Sequence, residues 1–191
     1  MVLDQKLLEL KACEEARIWA QGKTWKEIFE TCHRGDWLLW LFKKTIPDDE
    51  EHLKLLTRAK AHCALTVRHL MKDQRSITAC EVALKFADGE ATRDELRTAA
   101  AAAYAAAAAA DTDAAYAAAY AADTDADTDA AYAATYAAYA ATYAAAAAIA
   151  AADTDVAAIA AADTDVASKT KNQKETADIC RKYLPIEIWK I

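Results

Sequence analysis

The chain has 191 residues, 55% of them hydrophobic, with five cysteines, three glycines and a formal net charge of −7. That length suits one domain with an ample core. The odd, widely spread cysteines (Cys13, Cys32, Cys63, Cys80, Cys180) contain no CxxC pair, which argues against a disulfide framework and for buried, reduced thiols.

Residues 3 to 20 read as a first amphipathic helix, with Leu3, Leu7, Leu10 and Ile18 near one face. Gly22 supplies a stop, and Thr24 with Glu27 forms a capping box for the next helix. Trp25, Ile28, Phe29 and Cys32 then fall at i, i+3, i+4 and i+7, a single apolar stripe. Gly35 is expected to end that helix and Asp36 to cap a third, whose run Trp37-Leu-Leu-Trp40-Leu-Phe42 is apolar all round and marks the centre of the core. Thr45-Ile-Pro47-Asp48 reads as another helix start, with Pro47 in the first turn and Leu53, Leu56, Ala59, Cys63, Val67 and Leu70 on one face. Ser76 is expected to cap a further helix with Ile77, Cys80, Leu84 and Ala87 inward, ended by Gly89. Thr92 and Glu95 make a second capping box.

That box opens into Ala99–Ala167, sixty-nine residues made almost only of Ala, Tyr, Asp and Thr. Five Asp-Thr-Asp triplets interrupt the stretch, beginning at Asp111, Asp123, Asp127, Asp153 and Asp163. Their ten carboxylates place −10 here and leave +3 on the other 122 residues. Alanine has the highest helix propensity, and nothing from Glu95 to Val166 breaks a helix outright. A single helix of that length would reach about 100 Å at ~1.5 Å per residue, mostly without a partner, so a hairpin or bundle is expected. The double triplet Asp123–Asp129 is the best turn, with a second break near Asp153 or Asp163. Tyr132, Tyr136, Tyr139 and Tyr143 line one stripe after the turn. Glu175 to Leu184 reads as a last helix stopped by Pro185, with Ile188 and Trp189 folding back onto the core. The whole reads as all-α: a multi-helix bundle in one domain. It comprises a Trp-containing module (1–98), an Ala/Tyr/Asp-rich helical segment (99–167), and a C-terminal helix and tail (168–191).

The Ala-rich run is long enough to span a bilayer, but its Asp triplets cost too much at membrane depth. The N-terminus MVLDQKLLEL lacks a signal-peptide pattern, so the expected location is the cytoplasm. No GxGxxG, P-loop, HExxH or GxSxG occurs, and three glycines leave little room for a phosphate cradle, which argues against an enzyme. Cys32-His33 and His62-Cys63 are adjacent helical residues pointing about 100° apart, so neither is preformed for shared metal ligation. The Asp triplets lack the bend glycine and terminal Glu of a calcium loop. No metal or other cofactor is expected. No basic aromatic patch suits nucleic acid.

Arg34-Gly35-Asp36-Trp37 is the most specific local signal: an arginine beside a carboxylate and two tryptophans suits a carboxylate, a phosphate or a partner loop. The order Trp25…Cys32-His-Arg34-Gly-Asp36-Trp37-Leu-Leu-Trp40-Leu41 resembles the opening motif of a bacterial and phage family of immunity proteins associated with polymorphic toxin systems. Ala61-His-Cys63-Ala, Phe86-Ala-Asp-Gly-Glu90-Ala-Thr92-Arg-Asp-Glu95-Leu96 and Ala177-Asp-Ile-Cys-Arg181-Lys-Tyr-Leu-Pro185 continue the similarity around a low-complexity stretch. The resemblance implies direct binding of a toxin or defence effector and supplies no functional residue.

The expected binding surface joins the corner Arg34, Asp36, Trp37 and Trp40 to the acidic face of Asp123, Asp125, Asp127 and Asp129 with Tyr132, Tyr136, Tyr139 and Tyr143. Tyrosine offers large area at low entropy cost, and an acidic face suits a basic protein target such as a nuclease toxin. A nucleotide sponge is the alternative, with Arg34, Trp37, Trp40 and Arg68 lining one cavity. A homo-oligomer packed through the Ala/Tyr helices is the third reading.

Overall fold

The computed structural model describes residues 3–47, 49–110 and 155–189. Among these the chain is all-α, with eight α-helices: α1 (Leu3–Glu9), α2 (Glu14–Ala20), α3 (Trp25–Thr31), α4 (Gly35–Thr45), α5 (Glu50–Leu65), α6 (Gln74–Asp88), α7 (Arg93–Ala110) and α8 (Asp155–Tyr183). Short 3-10 turns follow α5 at Arg68–Leu70 and α8 at Ile186–Ile188.

The expected first helix is two. Leu7 and Leu8 carbonyls accept from Ala12 and Lys11 N–H (2.9 Å each), the paired closure that ends a helix on a left-handed residue. The left-handed residue is Lys11, at φ 62°, where glycine would be ordinary. Nothing in its side chain announces the break. Gly22 (φ 74°) follows the end of α2, as the sequence indicates.

Both capping boxes form. Thr24 Oγ1 accepts from Glu27 N–H at 3.2 Å while Glu27 Oε2 accepts from Thr24 N–H at 2.7 Å, and Thr92 with Glu95 repeats the same distances. Such a cap contributes about 1 kcal/mol. Three other starts differ from the sequence reading. Asp49 caps α5, so Pro47 precedes the helix instead of opening it. Asp73 caps α6 by accepting from Arg75 N–H at 2.8 Å, and Ser76 lies inside the helix, buried. Arg34 stands at the N-cap position of α4 with Gly35 as its first residue, and Asp36 lies one residue inside.

Two apolar cores result. The larger is built on Leu38, Leu39, Leu41 and Phe42 of α4, with Ile28, Cys32, Leu56, Cys63, Cys180 and Leu184 around them. Trp189 closes it from the C-terminus, its ring 5.3 Å from Phe29 and 5.8 Å from Phe42 and its Nε1–H donating to the Leu184 carbonyl at 3.1 Å. The smaller joins α5, α6 and α7 and is made of alanine around two large residues, with Ala61, Ala79, Ala83, Ala100 and Ala103 packed on Phe86 and Leu96. Ala79, Cys80 and Ala83 hold the inward positions of α6, while Ile77 and Leu84 are half-buried.

The Ala-rich stretch is entered by α7 and left by α8, and both helices cross the compositional boundaries without a break. Helix α8 runs through Asp163-Thr-Asp165, so no break falls there, and the last helix begins twenty residues before the expected Glu175. Ala and Lys are good helix formers, and this segment contains neither Gly nor Pro, so the helix propagates through the polar residues. The turn expected at Asp123–Asp129, the break near Asp153 and the tyrosine stripe lie outside the described residues.

Candidate functional site

Helix α4 presents its two sides to different neighbours. Its N-terminus meets α8 at backbone contact. Gly35 is buried, and a Cβ built there would lie 2.5 Å from Thr176 Oγ1 and 2.7 Å from the Thr176 carbonyl carbon. Only glycine allows that approach. Around it, three thiols donate to carbonyls: Cys32 to Arg34 (3.5 Å), Cys180 to Gly35 (3.5 Å) and Cys63 to Thr176 (3.8 Å). Burial pushes the Cys32 thiol up to about 11 and that of Cys180 well above its ordinary value, so these sulfurs stay protonated and unreactive. Arg181 reaches across from α8 to donate to the carbonyls of Phe29 (2.8 Å) and Cys32, satisfying the end of α3, and pairs with Asp178 at 2.7 Å. The Arg-Gly-Asp-Trp segment and the closing Cys180-Arg181 are therefore one junction.

The other side of α4 faces α1, α2 and α3 across an open pocket of about 230 Å³. Leu7, Ala12, Trp19, Ile28, Leu38 and Leu41 supply much of its apolar lining, and Trp37 and Trp40 complete it. The Trp19 and Trp37 rings stand 5.9 Å apart and tilted by 58°. Asp36, Lys11 and the exposed Cys13 are its polar lining groups.

Asp36 is already engaged. Arg34 grips it with two hydrogen bonds, Nε to Oδ1 at 2.8 Å and Nη2 to Oδ2 at 2.6 Å. The guanidinium also lies over the Trp37 ring (4.6 Å to its centre) and 3.6 Å from Glu15. The Asp36 hydrogen bonds raise the arginine's pKa above its ordinary value. Three acceptor surfaces thus hold Arg34, which buttresses Trp37 and has little left for a ligand phosphate.

Of the expected site residues, the structure brings Arg34, Asp36, Trp37 and Trp40 together. Arg68 is elsewhere, exposed in the turn after α5, where its charge acts on Cys80 of α6. Arg68 does not line the pocket beside α4, whereas Trp37 and Trp40 do. Asp123, Asp125, Asp127, Asp129, Tyr132, Tyr136, Tyr139 and Tyr143 lie outside the described residues. Trp19 and Lys11 are the additions: Trp19 shares the helical pattern of Leu3–Ile18, but only the break at Lys11 turns it against Trp37. His62 stacks on Tyr183 at 4.4 Å, and burial with the nearby Lys182 and Arg58 charges lowers its pKa. No cluster of His, Cys, Asp and Glu among the described residues could hold a metal ion.

No helix among the described residues is long and apolar enough to cross a membrane. Comparison with family models, curated proteins and solved structures finds no match. What fold and site define is a class: an all-α protein whose N-terminal helices frame a tryptophan-lined pocket.

Proposed function

We propose that this protein is a non-enzymatic inhibitor of the immunity type, which neutralises a toxin or defence effector by binding it directly. The carrying observation is the open pocket between α2 and α4, where Trp19, Trp37 and Trp40 stand half-buried around about 230 Å³ of apolar space. Tryptophans at the edge of a preformed concavity are the usual anchors of a protein interface. The acidic Asp123–Asp129 segment adds charge complementarity to a basic target such as a nuclease.

The test is survival. Bacteria expressing the toxin encoded beside this gene, or one of a panel of basic nuclease toxins, are rescued by co-expression of the wild-type chain, which then co-purifies with the toxin. Trp37→Ala and the charge reversal of Asp123, Asp125, Asp127 and Asp129 each weaken that rescue in protein that retains its helical circular dichroism. Failure to neutralise any toxin, the neighbouring gene's product included, overturns the reading. Unchanged toxin affinity in the quadruple variant removes the acidic face from it.

A further inference from the structure

Resting on that reading, the rim of the pocket says what kind of group enters it. An engineered apolar cavity of about 150 Å³ holds a benzene, so about 230 Å³ accommodates a phenyl or indole side chain. The lining selects an aromatic group, because Trp19 and Trp37 stand tilted and can offer edge and face to a third ring.

Charge at the rim is unequal. The Asp36 carboxylate is neutralised by its two-bond grip from Arg34, and Glu15 lies 3.6 Å from the same guanidinium. Lys23 is taken up by Trp19, lying 4.3 Å from the ring centre and donating to the Trp19 carbonyl. Lys11 remains. It lines the pocket, is exposed, and makes no ion pair with another described residue. The chain holds it there in a left-handed conformation (φ 62°) that costs a non-glycine residue roughly 1–2 kcal/mol.

We infer that the partner inserts an aromatic side chain flanked by a carboxylate, the ring entering between Trp19 and Trp37 and the carboxylate meeting the Lys11 ammonium. A neutral aromatic would fill the same space without the charge contact. A phosphate ligand would find no free guanidinium at Arg34.

The experiment titrates the full chain with short blocked peptides, Ac-Phe-Asp-NH2 against Ac-Phe-Asn-NH2 and Ac-Phe-Lys-NH2, and follows the indole N–H signals by nuclear magnetic resonance. Trp25 and Trp189 do not line the pocket and serve as internal controls. The expected result is movement of the Trp19, Trp37 and Trp40 signals alone. The acidic peptide binds about two- to fivefold more tightly than the neutral one, the range for an exposed ion pair. Lys11→Gln abolishes that preference and Lys11→Arg keeps it. Equal binding of all three peptides, or preference for the lysine peptide, overturns the inference, as does the absence of shifts at the three pocket tryptophans. None of these results touches toxin rescue, so a chain that rescues cells while ignoring the peptides leaves the inhibitor reading standing and sinks this one.

Discussion

The two sides of α4 are packed by different rules. Toward α8 the backbones touch: Gly35 has no room for a methyl group beside Thr176, and Cys180 and Arg181 take up the Gly35 and Phe29 carbonyls. Toward α1 and α2 only side chains meet, and about 230 Å³ is left open among three tryptophans. The same eleven-residue helix therefore carries a contact with no room for a methyl group on one side and an open pocket on the other. In the proposed binding role, the close contact with α8 would back the surface that admits the partner. Substitutions on the α8 side should act on stability, and substitutions on the pocket side should act on binding.

The largest effect is expected at Gly35. Gly35→Ala forces the new methyl into the Thr176 backbone, which cannot rotate away, and should cost about 3 kcal/mol by the usual scale of overpacking. Urea unfolding measures it. A loss below the experimental error would mean that α8 can slide and that the junction is not rigid. Arg181→Ala comes next. It strands the Phe29 and Cys32 carbonyls at the end of α3, an expected loss of about 2 kcal/mol, and Arg181→Lys recovers only part of it because one ammonium cannot span both acceptors.

A third effect comes from pH. Burial raises the thiol of Cys32 to about 11 and that of Cys80 to about 12. A group whose pKa rises on folding stabilises the fold fully below its unfolded value, about 8.5 for cysteine, and that stability is lost as pH climbs through the folded value. Stability should therefore be flat near neutrality and fall between about pH 8.5 and 12. By pH 10 the loss is about 2 kcal/mol per thiol. Urea midpoints at pH 7 and pH 10 test this, and Cys80→Ala should narrow the difference between them. Cys13 is exposed while Cys32, Cys63, Cys80 and Cys180 are buried, so a thiol reagent should label one cysteine rapidly in the native protein. Rapid labelling of Cys32, Cys63 or Cys180 would mean that the α8 junction opens, and rapid labelling of Cys80 that α6 lifts from its neighbours.

Much of the frame was legible from the residues. Thr24 with Glu27, Thr92 with Glu95, Gly22 and Gly89 each declare a helix end through a side chain or a backbone freedom that has one common use. The apolar run of α4 declares the core. What could not be read has a physical reason in each case. Gly35 resembles a helix stop because glycine often is one, but here it is demanded by Thr176, 141 positions away in the chain. Asp36 resembles a cap, yet Arg34 claims both of its oxygens. The pocket arises because α1 stops early, and that stop rests on a lysine in a glycine's conformation. The corner Arg34–Trp40 was visible as a motif, whereas its partition into a structural half (Arg34, Gly35) and an open half (Trp37, Trp40) needed the third dimension.

Lys11 gives the smallest expected effect and the sharpest test of the contrast between the two sides. Replacing it with glycine removes the left-handed penalty but gives the unfolded chain more freedom to lose, so the net gain should be about 0.5–1 kcal/mol. Lys11→Asn, a residue that tolerates the same conformation, should gain less. If Lys11 were only a passive closure of α1, both variants would be improvements without a cost. If its ammonium reads a carboxylate at the pocket, Lys11→Gly will be the more stable protein and the weaker binder of Ac-Phe-Asp-NH2, with binding of Ac-Phe-Asn-NH2 unchanged. A gain in stability together with a loss of charge preference is the pattern of a residue kept strained for its chemistry. It is a pattern that no substitution at Gly35 or Arg181 should produce.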